Sequence, residues 1–139
     1  MKRAGFTMIE LIFVIVILGI LAAVAIPRLA ATRTDAAATT AYANYKTVMN
    51  DISNVATAAG TMPANLINST TATTDIVANG TGIDITTTGG TVVCANIDLN
   101  GTTGVEVTAG ADIADPSCDL IRTNYTVGAV NVLGTAVTR

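Results

Sequence analysis

The pattern of hydrophobic and polar positions divides the chain into three stretches. From Phe6 to Ile26 there are 21 residues, and Glu10 is the only charged one among them. At about 1.5 Å per residue this is roughly 31 Å of helix, enough to cross a hydrocarbon core. Lys2 and Arg3 stand just before it. The positive-inside rule then leaves the short N-terminus in the cytoplasm and the remainder of the chain outside.

After Pro27-Arg28 the pattern changes. Ala41, Tyr45, Val48, Ile52, Val55 and Ala59 recur at alternating steps of four and three, an apolar stripe on an otherwise polar helix that suits packing on a sheet. Pro27 removes a backbone donor and Gly19 is a second soft point, so loosening is expected at Pro27 without an end to the helix. Gly60 stops it, and Pro63 follows. A helix from Phe6 to Ala59 is about 80 Å long, more than one small domain can bury, so half of it must lie in lipid or between neighbouring subunits.

Residues 60–80 read as a loop, with Gly60, Pro63, the Ser69-Thr70-Thr71 run and Asn79-Gly80. Short β-prone runs follow at Ile83–Thr88, Thr91–Ile97, Gly104–Thr108, Ile121–Val127 and Ala129–Val137. Gly89-Gly90 and Asn100-Gly101 mark hairpin turns between them. The expected fold is α+β: a long N-terminal helix, half membrane-spanning and half amphipathic, packed on a small antiparallel sheet.

Composition sharpens this picture. Beyond residue 60 the chain is rich in Thr, Gly, Ala and Asn, and Tyr125 is its only aromatic residue. Its core must be small and aliphatic, and a module of about 80 residues benefits from a staple. Cys94 and Cys118 both fall on the side expected to be outside, where disulfides persist. A bridge closing a loop of about 25 residues stabilises by roughly 3–4 kcal/mol in the chain-entropy view; the other reading is two buried free thiols. There is no His and no basic run, which leaves nothing to attract nucleic acid. No nucleophile–base pair, phosphate-cradling loop or Cys/His metal set is present, so an enzyme is not expected.

Glu10 decides among three readings of the N-terminus. In a plain anchor it lies near the interface and stays wet. In a secretory signal, with Ala23-Val24-Ala25 as cleavage site, a charge would weaken the apolar region. The third reading starts from Gly5-Phe6-Thr7-Met8-Ile9-Glu10-Leu11, which closely resembles the prepilin signature of the type IV pilin superfamily. That resemblance, specific over residues 4–35, implies cleavage between Gly5 and Phe6, N-methylation of the Phe6 amine and an assembly role for Glu10. The residues themselves support such a role. Cleavage frees an amine one helical turn from Glu10, and an amine buried among helices needs a hydrogen-bonded counter-charge, its own or a neighbour's. Without residues 1–5 the charge changes from −3 to −5, because Lys2 and Arg3 leave with them.

The resemblance divides the chain into a leader (1–5), a transmembrane and assembly helix (6–27), an amphipathic helix (28–59) and a linker with a β-sheet domain (60–139). The implied partners are a prepilin peptidase/methylase, an inner-membrane assembly platform, membrane lipid before assembly, and further copies of the chain in a helical filament. The implied location is the bacterial inner membrane with the C-terminal domain in the periplasm, then a pilus on the cell surface or a periplasmic pseudopilus. A type II secretion pseudopilin and a tip adhesin are the alternatives to a pilus subunit. Two departures stand out: 21 residues follow Cys118, whereas many pilins close their disulfide near the C-terminus, and the second helix proline of some pilins is absent.

Two further features stand apart from the helix. Asp112, Asp115 and Asp119 cluster around Pro116, where oxygen ligands on a loop suit calcium and the bland reading is a solvated acidic loop. Asn68, Asn79, Asn100 and Asn124 each open an N-x-[ST] acceptor, and Asp98 two residues before Asn100 makes that one resemble the extended bacterial form. In a chain this rich in Asn and Thr such matches also arise by chance, and Asn-Gly is equally a turn.

Overall fold

A computed structural model describes residues 5–87, 89–125 and 127–133. The chain forms two compact units, Met1–Thr34 and Asp35–Arg139. Helix α1 (Met8–Ala59) is unbroken through Pro27. In the first unit its side chains are exposed, and none of its most apolar 18-residue window is buried.

The helix persists through its Thr-rich part because Ala is abundant there and the threonines satisfy themselves. The hydroxyls of Thr39, Thr40, Thr47 and Thr57 each donate to the carbonyl four residues earlier, at 2.6–3.0 Å. Within the second unit Ala38, Ala41, Tyr45, Val48, Ile52 and Ala56 are buried. The expected stripe is therefore corrected at its end: Val55 is 40% exposed and Ala56 takes its place, while Ala59, the last residue of the helix, is exposed. Both rows step by threes and fours and coincide from Ala41 to Ile52; they part in the last turn, where a step of four from Ile52 rather than three returns to the buried face.

That face packs on a five-stranded antiparallel sheet in simple sequential order, β1 (Ile76–Asn79), β2 (Gly82–Thr87), β3 (Val92–Asn100), β4 (Gly104–Ala109) and β5 (Gly128–Asn131). Ile83 stands opposite Ile97, Ile97 opposite Val107, and Ile85 opposite Ala95, so one face carries an aliphatic row. These residues join Ala41, Tyr45, Val48, Ile52 and Leu66 in a single core. The other face is polar. Asp84 accepts from Asn79 Nδ2 at 3.0 Å and Asn96 Nδ2 at 2.6 Å, and Asp98 stands opposite Glu106.

Strand β1 lies inside the segment expected to be loop. Only Ile76 and Val77 are strongly β-prone there, too short a run to stand out from the threonines around it. The turn at Asn79-Gly80 is the hairpin between β1 and β2, with Gly80 at a left-handed φ of 61°. The expected strand at Ile121–Val127 is instead helix α2 (Asp119–Asn124), and Thr126 lies outside the described residues. Local caps outweigh the β-prone Ile121 and Thr123: Pro116 begins a preceding 3-10 turn, Asp115 Oδ1 accepts from Ser117 N at 2.8 Å, and Asp119 sits in the first turn. Residues 134–137 of the run expected at Ala129–Val137 also lie outside the described residues.

Cys94 of β3 and Cys118 are joined by a disulfide with Cα atoms 5.2 Å apart. A second tie holds the loop after α1. Asp51 Oδ2 accepts from Thr71 N at 2.6 Å, from Thr71 Oγ1 at 2.7 Å and from Thr70 Oγ1 at 3.3 Å. The bond from the Thr71 backbone, followed by those from the hydroxyls, holds the Asp51 carboxyl below its ordinary pKa.

Two outcomes are expected of a soluble fragment beginning at Asp35. In urea titrations Ile52→Ala lowers stability by about 2–5 kcal/mol, whereas Val55→Ala stays within about 1 kcal/mol; equal losses would show that Val55 belongs to the buried face. The Asp51 bonds stabilise the fold fully above the unfolded pKa of about 3.9 and are lost as pH falls through the lowered folded value. The Tm difference between wild type and Asp51→Ala is therefore largest near neutrality and closes in acid. A difference independent of pH would mean that the ionised carboxylate is not the tie.

Candidate functional site: the N-terminal signature

Gly5, Phe6 and Thr7 precede the helix and are exposed, Phe6 to 90%. A Cβ added at Gly5 would meet nothing within 4 Å. Thr7 then opens α1. Its backbone N–H donates to Glu10 Oε2 at 2.8 Å and its hydroxyl to the same oxygen at 2.7 Å, while Glu10 N donates back to Thr7 Oγ1 at 3.3 Å. This is a capping box, Thr-x-x-Glu, in which each residue satisfies a donor the helix start leaves orphaned.

Sequence reasoning gave Glu10 an amine as partner and missed Thr7, although the spacing of three residues was there to be read. The carboxylate also sits in the first turn, where the helix dipole favours negative charge. Both bonds from Thr7 fall on Oε2. Oε1 remains free among the described residues.

Residues 1–26 match a family described as the prokaryotic N-terminal methylation motif. The chain carries the prepilin signature of type IV pilins and pseudopilins. No curated protein and no solved structure matches the chain. The signature implies a structural protein processed by a prepilin peptidase and assembled into a filament, and with the apolar start of α1 it fits membrane anchoring before assembly.

The other expected site residues are scattered. Asp112 Oδ2 accepts from Val93 N at 3.0 Å, Asp115 Oδ1 accepts from Ser117 N and, at 2.6 Å, from Ser117 Oγ, and Asp119 pairs with Arg122. Each carboxylate thus has its own structural task. Among the described residues no three of His, Cys, Asp or Glu gather as a metal site would require. A depression of about 310 Å³ lies between Met62 and Pro63 on one side and Leu99 and Gly101 on the other.

The capping box predicts a local protection pattern. In the uncleaved chain in detergent micelles, the Thr7 amide should exchange slowly with deuterium, and Glu10→Ala should bring it to the rate of an open amide. Unchanged exchange in Glu10→Ala would show that the carboxylate does not cap the helix.

Proposed function

We propose that the chain is the structural subunit of a type IV pilus-like filament, made as a membrane-anchored precursor with its C-terminal domain in the periplasm. The observation that carries this reading is the apolar first part of α1, which is uncovered within its own chain and begins with the prepilin signature. Its hydrophobic surface needs lipid before assembly and other helices afterwards.

Cleavage falls between Gly5 and Phe6, a bond that precedes the helix and is flanked by exposed residues. Methylation falls on the new Phe6 amine. Glu10 then serves two donors with two oxygens, Oε2 retaining Thr7 and Oε1 taking a Phe6 amine. A carboxylate that keeps its cap loses nothing in helix order when it accepts the amine. If the amine is a neighbour's, the pairing sets the axial register between subunits.

The test is assembly by subunits that all carry the same variant. Glu10→Ala should still be inserted and cleaved, because the helix becomes more apolar, but should fail to enter filaments. Glu10→Asp keeps the charge with a shorter reach and should assemble at an intermediate level. Intact mass should show a mature chain beginning at N-methylated Phe6. A start at Ile26 would establish a secretory signal instead, and normal filaments from Glu10→Ala would reduce Glu10 to an interfacial residue of a plain anchor. Filaments confined to the periplasm would assign the chain to a secretion pseudopilus.

A further inference from the structure

Four Asn-x-Ser/Thr sequences are present, and the structure separates one from the others. Asn79 Nδ2 is engaged by Asp84 Oδ1 at 3.0 Å, and Val77 stands two residues before it. Asn124 is in α2, where its Nδ2 donates to Leu120 O at 2.9 Å, and Arg122 stands at the same offset. Asn68 is exposed in the 3-10 turn Ile67–Ser69, but its preceding residue at that offset is the fully buried Leu66.

Asn100 differs from Asn79 and Asn124 in its unengaged side-chain amide, and from all three in the acidic residue two positions before it. It is the last residue of β3, exposed, and its amide makes no hydrogen bond among the described residues. Gly101, Thr102 and Thr103 form the exposed tip of the β3–β4 hairpin, with Gly101 at φ 65°. Asn100 at the strand end and Thr102 in the turn are thus presented together at the hairpin tip, which a large enzyme can reach without unfolding the sheet.

Asp98 adds a second recognition element. Residues two apart in a strand share a face, so Asp98 and Asn100 both stand on the outer face while Leu99 packs toward the core. Asp98 makes no ion pair among the described residues. Its cross-strand neighbour is Glu106, of like charge, and on its other side Gly82 comes so close that a Cβ there would meet the carboxylate. Among the described residues no cation pairs with this carboxylate, which leaves it available to an external one.

We propose that Asn100 is an N-glycosylation site, with Asp98 and Thr102 as the residues that mark it for an oligosaccharyltransferase outside the cytoplasm. The co-substrate is an oligosaccharide joined to a polyprenyl diphosphate. Asn100 Nδ2 attacks the anomeric carbon, and the bond from that carbon to the diphosphate oxygen breaks. The polyprenyl diphosphate leaves with the electron pair, and one Nδ2 proton passes to a base of the transferase. Asp98 binds a basic group of that enzyme, and Thr102 donates its hydroxyl to hold the acceptor in place. The glycan then projects from the end of the sheet and leaves the core untouched.

The experiment is peptide mass analysis of the full-length protein isolated from the cells that make it. The peptide containing Asn100 should gain the mass of whole sugar residues. Asn100→Gln and Thr102→Ala should each abolish the gain, and Asp98→Asn should reduce the modified fraction at least several-fold while the disulfide and the circular dichroism spectrum stay unchanged. An unmodified Asn100, or only the small gain of Asn-Gly deamidation, overturns the proposal. So does a glycan found on Asn68, Asn79 or Asn124 in its place, and full modification of Asp98→Asn would remove Asp98 from the recognition element.

Discussion

The constraint on which this molecule depends is an apolar helix that its own chain does not cover. The stretch headed by Phe6 and Glu10 is wholly uncovered in its most apolar window, so its folding environment must be supplied by lipid or by other helices. In such a medium the helix start is the vulnerable point, because its first N–H groups have no intrahelical acceptor and no water to replace one. The Thr7–Glu10 box answers this within four residues. A charge that looks costly in an apolar run is thus held by the structure that surrounds it. In the proposed filament, its second oxygen would be the one available for a contact between subunits.

The globular unit faces the opposite difficulty. With one aromatic residue beyond position 60 it has little bulk to bury, and its core is built from Ile, Val, Leu and Ala. The tyrosines are gathered rather than spread: Tyr45 lies 6.4 Å from Tyr42 and 6.5 Å, edge-on, from Tyr125. Polar ties supplement this core. Asp51 holds the loop at Thr70 and Thr71, Asp115 caps the turn at Ser117, and Ser117 Oγ meets Thr87 Oγ1 at 2.8 Å in a buried contact. The Asp115 carboxyl, like that of Asp51, lies below its ordinary pKa, first through the Ser117 hydroxyl and then through its N–H.

What was legible in the sequence follows from how strong each local signal was. The long helix, the β2–β4 meander and its glycine turns could be read because apolar period, alternation and Gly pairs agreed with one another. The membrane half was legible for the simplest reason, an apolar run of helical length. Strand β1 was hidden because its two β-prone residues sit among threonines that favour strand and loop alike. Helix α2 was misread because Ile121 and Thr123 prefer strands in isolation, while its start is set by Asp115, Pro116 and a disulfide three-dimensionally fixed at Cys118. The cleavage glycine and Glu10 stood out as a contiguous string. Thr7 did not, because a Thr-x-x-Glu spacing is short and common and an apolar run supplies no second mark of where its helix begins.

The order of the strands explains where the one disulfide belongs. From β1 to β4 each strand pairs with the next through a short turn, so those pairings form at small sequence separation and need little loop closure. The step from β4 to β5 is different. Its connection, from Gly110 to Val127, contains the 3-10 turn and α2 before β5 returns to pair with β4. Cys118 lies in the middle of that connection and is bonded to Cys94 in β3, beside Gly110 N donating to Cys94 O at 3.1 Å and Asp112 N donating to Val93 O at 3.0 Å. The covalent staple therefore falls on the least local connection between paired strands, where it removes more freedom from the unfolded chain than at any of the hairpins. A threonine-rich sheet with a thin aliphatic core needs its one cross-link there, and at any of the hairpins the same bond would constrain what a short turn already holds.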